Sequence, residues 1–462
     1  MRIKTTFFYF LIVASSLLVT GCAEVATIFG GSGGSSSGRR TFWASDFTTN
    51  QFYQVEAELL AESSRAIIYA ELDSGVSAAA AQSAATEFDR RIYDLIRTNF
   101  AEESDVDNNG KIILLLLDIR DGFDGSGGYV AGYFHGHHAL DLSNSNRADM
   151  IFMDIDPGVV GDPTFRETMA HEFQHLVNFA EEYIRGGGGR QDTWVNEGLS
   201  SAAEYLYAGG HIQSKIDYYN ADPNGTIARG QGFLTWGAWG DILVDYSTVY
   251  LFFQWLRIHA AGGAGVYRDI LHNEYPDYRA VFETYQSEVD SSAGSWDEVI
   301  TNWYLANLLQ TDSGVRGYEG ELSLSPPFLT ERSDYDSEFE GEPFPLYPGE
   351  GIFLEIGSSS YDETPPSNLR YYGIDTGQSP SVVDDDQTGG FEGDTLLMVN
   401  VRGEDSTSLL AETDNLPAAT LLAAPALSSS SITPTPEVYP IDLRHTLTGE
   451  GGRQERPRSK SK

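Results

Sequence analysis

Apolar residues between positions 41 and 160 occur mostly in short runs bounded by polar or glycine-rich segments, a pattern typical of β-strands. The run over 112–119 is apolar almost throughout, which indicates a buried strand. Over 76–100, alanines and larger apolar side chains recur at four-residue spacing, and this period predicts a helix. The predicted strands are 53–63, 66–72, 112–119 and 150–155.

From position 162 the apolar spacing becomes that of helices. Asp162 followed by Pro163 predicts a helix start, because an acidic side chain can cap the first turn and proline suits it. Along this helix the apolar residues share one face, whereas His171 and His175 point to a different side. The apolar stripe consists of Met169, Phe173, Leu176, Ala180 and Ile184.

A second helix is predicted after the glycine run 186–189, with Asp192 or Thr193 as its cap. Glu197, Ser201 and Glu204 share one face of it. Its other stripe is apolar and consists of Val195, Leu199, Ala202 and Leu206. Further helices are expected at 248–259, 266–272, 278–289 and 296–309, so this part of the chain should be mainly helical.

Composition divides the chain into segments. Beyond about residue 312, proline, serine, glycine and acidic residues surround short strand-like runs, and from about residue 425 nothing looks able to form a packed core. We therefore expect an α+β main domain followed by a β-rich appendage and a disordered tail. The predicted segments are a signal peptide (1–22), a Gly/Ser linker (23–40), the main domain (41–312, with lobes 41–160 and 161–312), the appendage (313–424) and the tail (425–462).

The N-terminus has the features of a secretion signal. Basic Arg2 and Lys4 precede an apolar stretch over 7–19, and Gly21 stands directly before Cys22. Cys22 is the only cysteine, so it has no partner for an intramolecular disulfide, and its setting resembles a bacterial lipobox. The resemblance implies cleavage before Cys22 and a lipid on its sulfur, which would place a soluble body on the outside of a bacterial membrane. An ordinary cleaved signal or an uncleaved anchor is the alternative.

The charge balance narrows the possible partners. Asp and Glu outnumber Lys and Arg by 68 to 29, which gives a formal charge of −39. Binding to nucleic acid or to anionic lipid headgroups is electrostatically unfavourable at this charge. Solubility explains the acidity most simply, although a preference for basic substrates or for divalent cations fits the same numbers.

The strongest chemical pattern is His171-Glu172-Phe173-Gln174-His175. Two histidines four residues apart on a helix present their imidazoles on one face, as a zinc ion requires, and Glu172 occupies a position from which a carboxylate can accept a proton from an activated water. Glu197, separated from His175 by 21 residues, completes a two-histidine, one-glutamate ligand set in a helix, reversal, helix arrangement.

Two further segments contain possible metal ligands. The stretch Asp105 to Gly110 matches the first half of a calcium loop, but Leu116 stands where such a loop needs a glutamate, so a polar turn before a strand is the alternative. His135, His137 and His138 lie close together around a glycine. We expect them in a surface loop, with a second metal site as the alternative.

The segments AHEFQHLVN over 170–178 and DTWVNEGL over 192–199 resemble the gluzincin zinc metallopeptidases. Together with DNNGK over 107–111, which precedes an apolar strand, and DYSTVYLFFQW over 245–255, they resemble more narrowly the bacterial hyicolysin-like neutral metallopeptidases. The resemblance covers about residues 105 to 273. It implies a zincin-like domain with a mixed-sheet N-terminal lobe and a helical C-terminal lobe.

Applied residue by residue, the resemblance implies zinc ligands at His171, His175 and Glu197. Glu172 becomes the general base and later the proton donor to the leaving amine. Glu204 resembles a carboxylate that holds a ligand imidazole in the tautomer suited to zinc. The spacing before Glu197 is slightly longer than in the best-known gluzincins, so Glu204 remains an alternative ligand.

The expected function is that of an exported, lipid-anchored zinc endopeptidase acting on protein or peptide substrates. Tyr246, Tyr250 and His259 are candidate donors to the oxyanion that forms in peptide hydrolysis. The alternative is a non-catalytic surface or adhesion lipoprotein that retains a metallopeptidase fold. Every residue type required for catalysis is present.

Overall fold

A computed structural model describes residues 38–125, 128–325, 329–331, 346–357, 360–362, 364–403 and 438–442. The predicted signal peptide, most of the linker and most of the tail lie outside these ranges. The strands are β1 (Arg39–Asp46), β2 (Gln51–Glu62), β3 (Ala66–Glu71), β4 (Ile112–Leu117), β5 (Val130–His135), β6 (Met150–Asp154), β7 (Leu329–Glu331), β8 (Gly351–Glu355), β9 (Leu369–Asp375), β10 (Ser381–Asp384), β11 (Thr395–Asn400) and β12 (Val438–Asp442).

The larger sheet has seven strands in the order β1-β2-β3-β4-β6-β5-β12. β4 pairs in parallel with both β3 and β6, whereas the other neighbours are antiparallel. All six residues of β4 are buried, as its apolar run predicts. The four predicted strands are confirmed as β2, β3, β4 and β6. β12 lies within the segment predicted to be the tail and pairs with β5.

The helices are α1 (Ala78–Glu87), α2 (Tyr93–Asn99), α3 (Pro163–Phe179), α4 (Thr193–Ala208), α5 (Gln213–Ala221), α6 (Ile242–His259), α7 (Gly265–Leu271), α8 (Tyr278–Glu288) and α9 (Trp296–Leu309). The helix predicted over 76–100 is confirmed, with a π-helical turn, Phe88–Ile92, between α1 and α2. The helical character predicted for 161–312 is also confirmed. Among the described residues, no helix combines the length and apolar character needed to cross a membrane.

A second sheet has the order β10-β9-β11-β8-β7 and packs beside α9. Phe353, Leu397 and Val399 from its strands share one hydrophobic core with the helices. The Tyr304 hydroxyl of α9 donates to the carbonyl of Gly349 at 2.9 Å, just before β8. The described part of the chain is thus a mixed α/β structure, compatible with the predicted α+β class.

Candidate metal centre

The helix α3 carries His171 and His175 on one side, with their ring centroids 4.6 Å apart. Pro163 occupies the first turn as predicted. Asp162 is the N-cap residue, but its side chain makes no capping hydrogen bond, contrary to the prediction. The opposite side of α3 packs through Met169, Phe173 and Leu176, all of them buried. The apolar stripe and the two histidines therefore lie on different faces of α3, as the periodicity of the sequence predicts.

Glu197 reaches the two histidines from α4, which packs against α3 after the chain reverses through the glycine run 186–189. Its Oε2 lies 3.2 Å from Nε2 of His171 and 3.6 Å from Nε2 of His175. One ligand atom from each of the three residues falls within 4.8 Å of the others, and all three side chains are buried. Residues far apart in sequence thus present three donor atoms to one point.

The chemistry of these atoms fits a cation. Nε2 of His171 and Oε2 of Glu197 are buried, and neither makes a hydrogen bond to any described part of the chain. A buried polar atom without a partner costs free energy, so native structures rarely retain one unless it serves a function or a ligand. Two imidazole nitrogens and one carboxylate oxygen form one of the protein ligand sets found in catalytic zinc sites. The three residues could therefore hold a zinc ion.

The other nitrogen of each imidazole is fixed by the protein. Nδ1 of His171 lies 2.6 Å from Oε1 of Glu204, and Nδ1 of His175 lies 2.8 Å from the amide oxygen of Asn196. Ser200 Oγ is also 2.9 Å from Nδ1 of His175. Acceptors at Nδ1 place the proton there and leave Nε2 with a lone pair for a metal. Glu204 therefore lies on the side of His171 away from Glu197, which argues against Glu204 as the third ligand.

Glu172 lies fully buried beside Glu197. Burial raises the pKa of its carboxyl group well above the usual range, and the negative charge of Glu197 raises it further. Burial lowers the pKa of the His175 imidazole and favours the neutral form that binds metals. Burial would raise the pKa of Glu204, but Lys215 and the hydrogen bond to His171 outweigh this effect and lower it.

Two glycines permit the close packing that assembles this centre. A Cβ atom on Gly132 of β5 would lie 2.8 Å from Thr168 Cγ2 and 3.2 Å from Glu172 Cγ, so β5 approaches α3 directly beside Glu172. A Cβ atom on Gly198 would lie 2.2 Å from the Phe253 ring of α6. The glycine after Glu197 therefore lets α4 lie against α6.

The structure separates the three candidate oxyanion donors. The Tyr246 ring lies 6.3 Å from that of His171, between centroids. The Tyr250 hydroxyl accepts from the main-chain N–H of Ile212 at 2.9 Å and lies 3.1 Å from His211 Nδ1. His259 Nε2 lies 2.8 Å from the Gly317 carbonyl. Tyr246 is thus the only one of the three candidates with a ring near the centre.

The prediction of a surface loop for His135, His137 and His138 is wrong, because all three are at most 6% exposed. His135 ends β5, and the other two lie in a 3-10 turn, Gly136–Ala139. Phe52 from β2 stacks on His135 and His137, with centroid distances of 5.4 and 4.7 Å. The long-range contact with Phe52 covers a segment that looks like a loop in sequence.

The predicted calcium loop folds as a turn. Its Gly110 N–H donates to Asp105 at 2.9 Å, and oxygens of Asp105, Asp107 and Asp149 lie within 4.8 Å of one another. Asp149 also accepts from the main-chain N–H of Val106 at 2.5 Å. Asp149 directly precedes β6, the parallel neighbour of β4, and no local sequence pattern marks it as a partner of this turn. Calcium binding here remains a prediction.

The chain is similar to the neutral metalloprotease ShpI of Staphylococcus hyicus, with 29% identity over 293 residues. The match covers 62% of this chain and 66% of that protein, so it spans slightly less than two thirds of the relative's length. No family model matches the chain. The similarity and the convergence of His171, His175 and Glu197 confirm the resemblance to the bacterial neutral zinc metallopeptidases.

Proposed function

We propose that this protein is a zinc-dependent endopeptidase that hydrolyses peptide bonds in protein or peptide substrates. The observation that carries the proposal is the convergence of three buried donor atoms, from His171, His175 and Glu197, beside the buried carboxylate of Glu172. The similarity to a neutral metalloprotease supports the same activity.

His171, His175 and Glu197 would hold the zinc ion. When bound, zinc supplies a Lewis acid that acidifies a water molecule and polarises the substrate carbonyl. Glu204 and Asn196 orient the two imidazoles through their Nδ1 atoms, so the ligand geometry is set before a substrate arrives. The chain therefore offers both a ligand set and the hydrogen bonds that fix it.

Glu172 is the general base of this proposal. Its buried position raises the basicity of the carboxylate, which favours removal of a proton from water. The protonated carboxyl group then delivers the proton to the amine as the peptide bond breaks. Tyr246, beside His171, is the donor best placed to stabilise the oxyanion. No covalent intermediate and no cysteine are needed.

Export and lipid attachment through Cys22 form the second part of the proposal. They rest on the basic, apolar and Gly21-Cys22 pattern of the N-terminus, which lies outside the described residues. Metabolic labelling with a radioactive fatty acid tests this part. We expect label on the wild-type chain and none on the Cys22→Ser variant.

The peptidase proposal is tested on the purified mature protein by zinc content and by cleavage of casein. We expect about one zinc ion per chain and cleavage that falls at least about 100-fold in Glu172→Gln, the lower range of general-base effects, with zinc retained. Glu56→Gln, on an exposed position of β2, is the matched control and should cleave as the wild type does. Zinc binding with equal trace cleavage in wild type and Glu172→Gln would leave a binding or adhesion protein instead.

A further inference from the structure

Lys215 of α5 places an ammonium group beside the candidate metal centre. Its side chain is only 10% exposed, and Nζ donates to Ser201 Oγ and Glu204 Oε1, both at 2.9 Å. The same oxygen of Glu204 lies 2.6 Å from Nδ1 of His171. One carboxylate oxygen therefore connects the ammonium group to a ligand imidazole.

The same ammonium group also faces α6. Nζ lies 5.4 Å from the ring centroid of Tyr246 and 5.8 Å from that of Tyr250, within the range of cation–π attraction. The Tyr246 ring is in turn the one close to His171. Lys215 thus contacts two side chains that both lie next to one ligand.

Burying the ammonium group of Lys215 under α5 costs free energy. Removing it from water carries a desolvation penalty that an apolar side chain of similar volume would avoid. The penalty is offset here by two oxygens and two aromatic rings, which come from α4 and α6. An apolar side chain would pack at this point without fixing the position of these oxygens and rings. The costlier ammonium group is therefore expected where their position affects function.

We infer that Lys215 is a positioning residue of the metal centre, whose ammonium group holds Glu204 against His171 and Tyr246 beside it. The inference rests on the proposed function in that His171 is taken as a zinc ligand. Without the ammonium group, Glu204 can leave His171 Nδ1 for other donors or water, and the imidazole can turn its Nε2 away from Glu197. Zinc affinity should then fall without loss of any ligand.

The test is the zinc dissociation constant, measured by competition with a chromophoric chelator on protein shown to be folded by circular dichroism. In Lys215→Met we expect zinc binding roughly 10- to 100-fold weaker than in wild type, the usual range when an outer hydrogen bond of a ligand is lost. Lys215→Arg keeps the charge and should recover most of this loss. The cobalt-substituted protein gives a second readout, because the visible spectrum should change in Lys215→Met.

Lys111→Met is the matched control. Lys111 pairs with Glu62 at 2.6 Å, at a partly exposed position in the turn before β4, so its loss removes an ion pair but touches no part of the centre. Zinc affinity and the cobalt spectrum should be unchanged. A folded Lys215→Met with the affinity and spectrum of wild type would overturn the inference and leave Lys215 a packing residue.

Ser201→Ala keeps the test decisive if Lys215→Met does not fold. The variant removes one of the two oxygens that hold Nζ and leaves the charge pair with Glu204 in place. Zinc binding a few-fold weaker, with an altered cobalt spectrum, supports the inference, and wild-type behaviour of both readouts contradicts it. Neither readout needs catalysis: zinc binding without peptide cleavage would refute only the peptidase proposal.

Discussion

The amide oxygen of Asn196 lies 2.8 Å from Nδ1 of His175, so the residue directly before Glu197 fixes a histidine on the neighbouring helix. The contact joins α4 to α3 within the centre itself. It also explains an asparagine at this position, because a carbonyl oxygen accepts from Nδ1–H without adding charge. Two consecutive residues of α4 therefore serve the same site, Glu197 as a candidate metal ligand and Asn196 by fixing His175.

Asn196→Ala removes this acceptor, and we expect zinc affinity to fall about 10-fold or more in competition with a chelator. Asn178→Ala is the control, because Asn178 is a buried amide of α3 whose side chain donates to Gln191 at 2.7 Å. It should lower stability only. Equal zinc affinity in Asn196→Ala and wild type would show that Ser200 alone suffices to hold His175.

Tyr246→Phe keeps the ring and removes the hydroxyl. If the hydroxyl donates to the oxyanion, kcat should fall about 100- to 1,000-fold while zinc affinity is unchanged. Tyr250→Phe is the matched control, because its hydroxyl bonds Ile212 and His211. It should affect stability more than kcat. A kcat for Tyr246→Phe within a few-fold of wild type would exclude this role.

Gly198→Ala forces a Cβ atom to within 2.2 Å of Phe253, so α4 must shift on α6. Overpacking of this kind costs about 1–3 kcal/mol of unfolding free energy, and the shift should also weaken zinc binding because Glu197 is adjacent. Gly210→Ala, which meets nothing within 4 Å, should change neither quantity by much. Denaturant unfolding and chelator competition measure the two effects, and a neutral Gly198→Ala would contradict this account.

Burial of His135 should make the fold acid-sensitive. Burial lowers the pKa of His135 from 6.5 to about 3. Between these two pH values the imidazole binds a proton in the unfolded state but not in the folded state. The contribution to stability is complete above pH 6.5 and declines as pH falls toward the folded pKa, by about 2 kcal/mol at pH 5. Urea unfolding at pH 7 and at pH 5 measures the free energy of unfolding. The decrease in this free energy between pH 7 and pH 5 should be smaller in His135→Asn than in wild type. Parallel losses would contradict the assignment.

Local patterns in the sequence predict much of this structure, because apolar period and turn residues act over short distances. The strands around β4 and the hairpin of α3 and α4 follow from such patterns, and so do the faces on which His171 and Glu197 lie. Contacts between distant segments are different. Lys215 reaches Glu204 from α5, Asp149 reaches the turn before β4, and Phe52 covers the histidines at the end of β5 and in the turn that follows. The spacing of residues in the sequence marks none of these contacts.

Removal of zinc should destabilise the folded protein, because the ligand side chains then stay buried without the ion that binds them. Without zinc, the buried Glu197 oxygen has no hydrogen-bond partner among the described residues, and it lies beside a second buried carboxylate, Glu172. A ligand present at 1,000 times its dissociation constant stabilises the folded state by about 4 kcal/mol. Dialysis against a chelator should therefore lower the melting temperature by several degrees, and added zinc should restore it. In Glu197→Gln the chelator should have a much smaller effect, because this ligand set is already incomplete. An equal drop in wild type and Glu197→Gln would place the stabilising metal at another site.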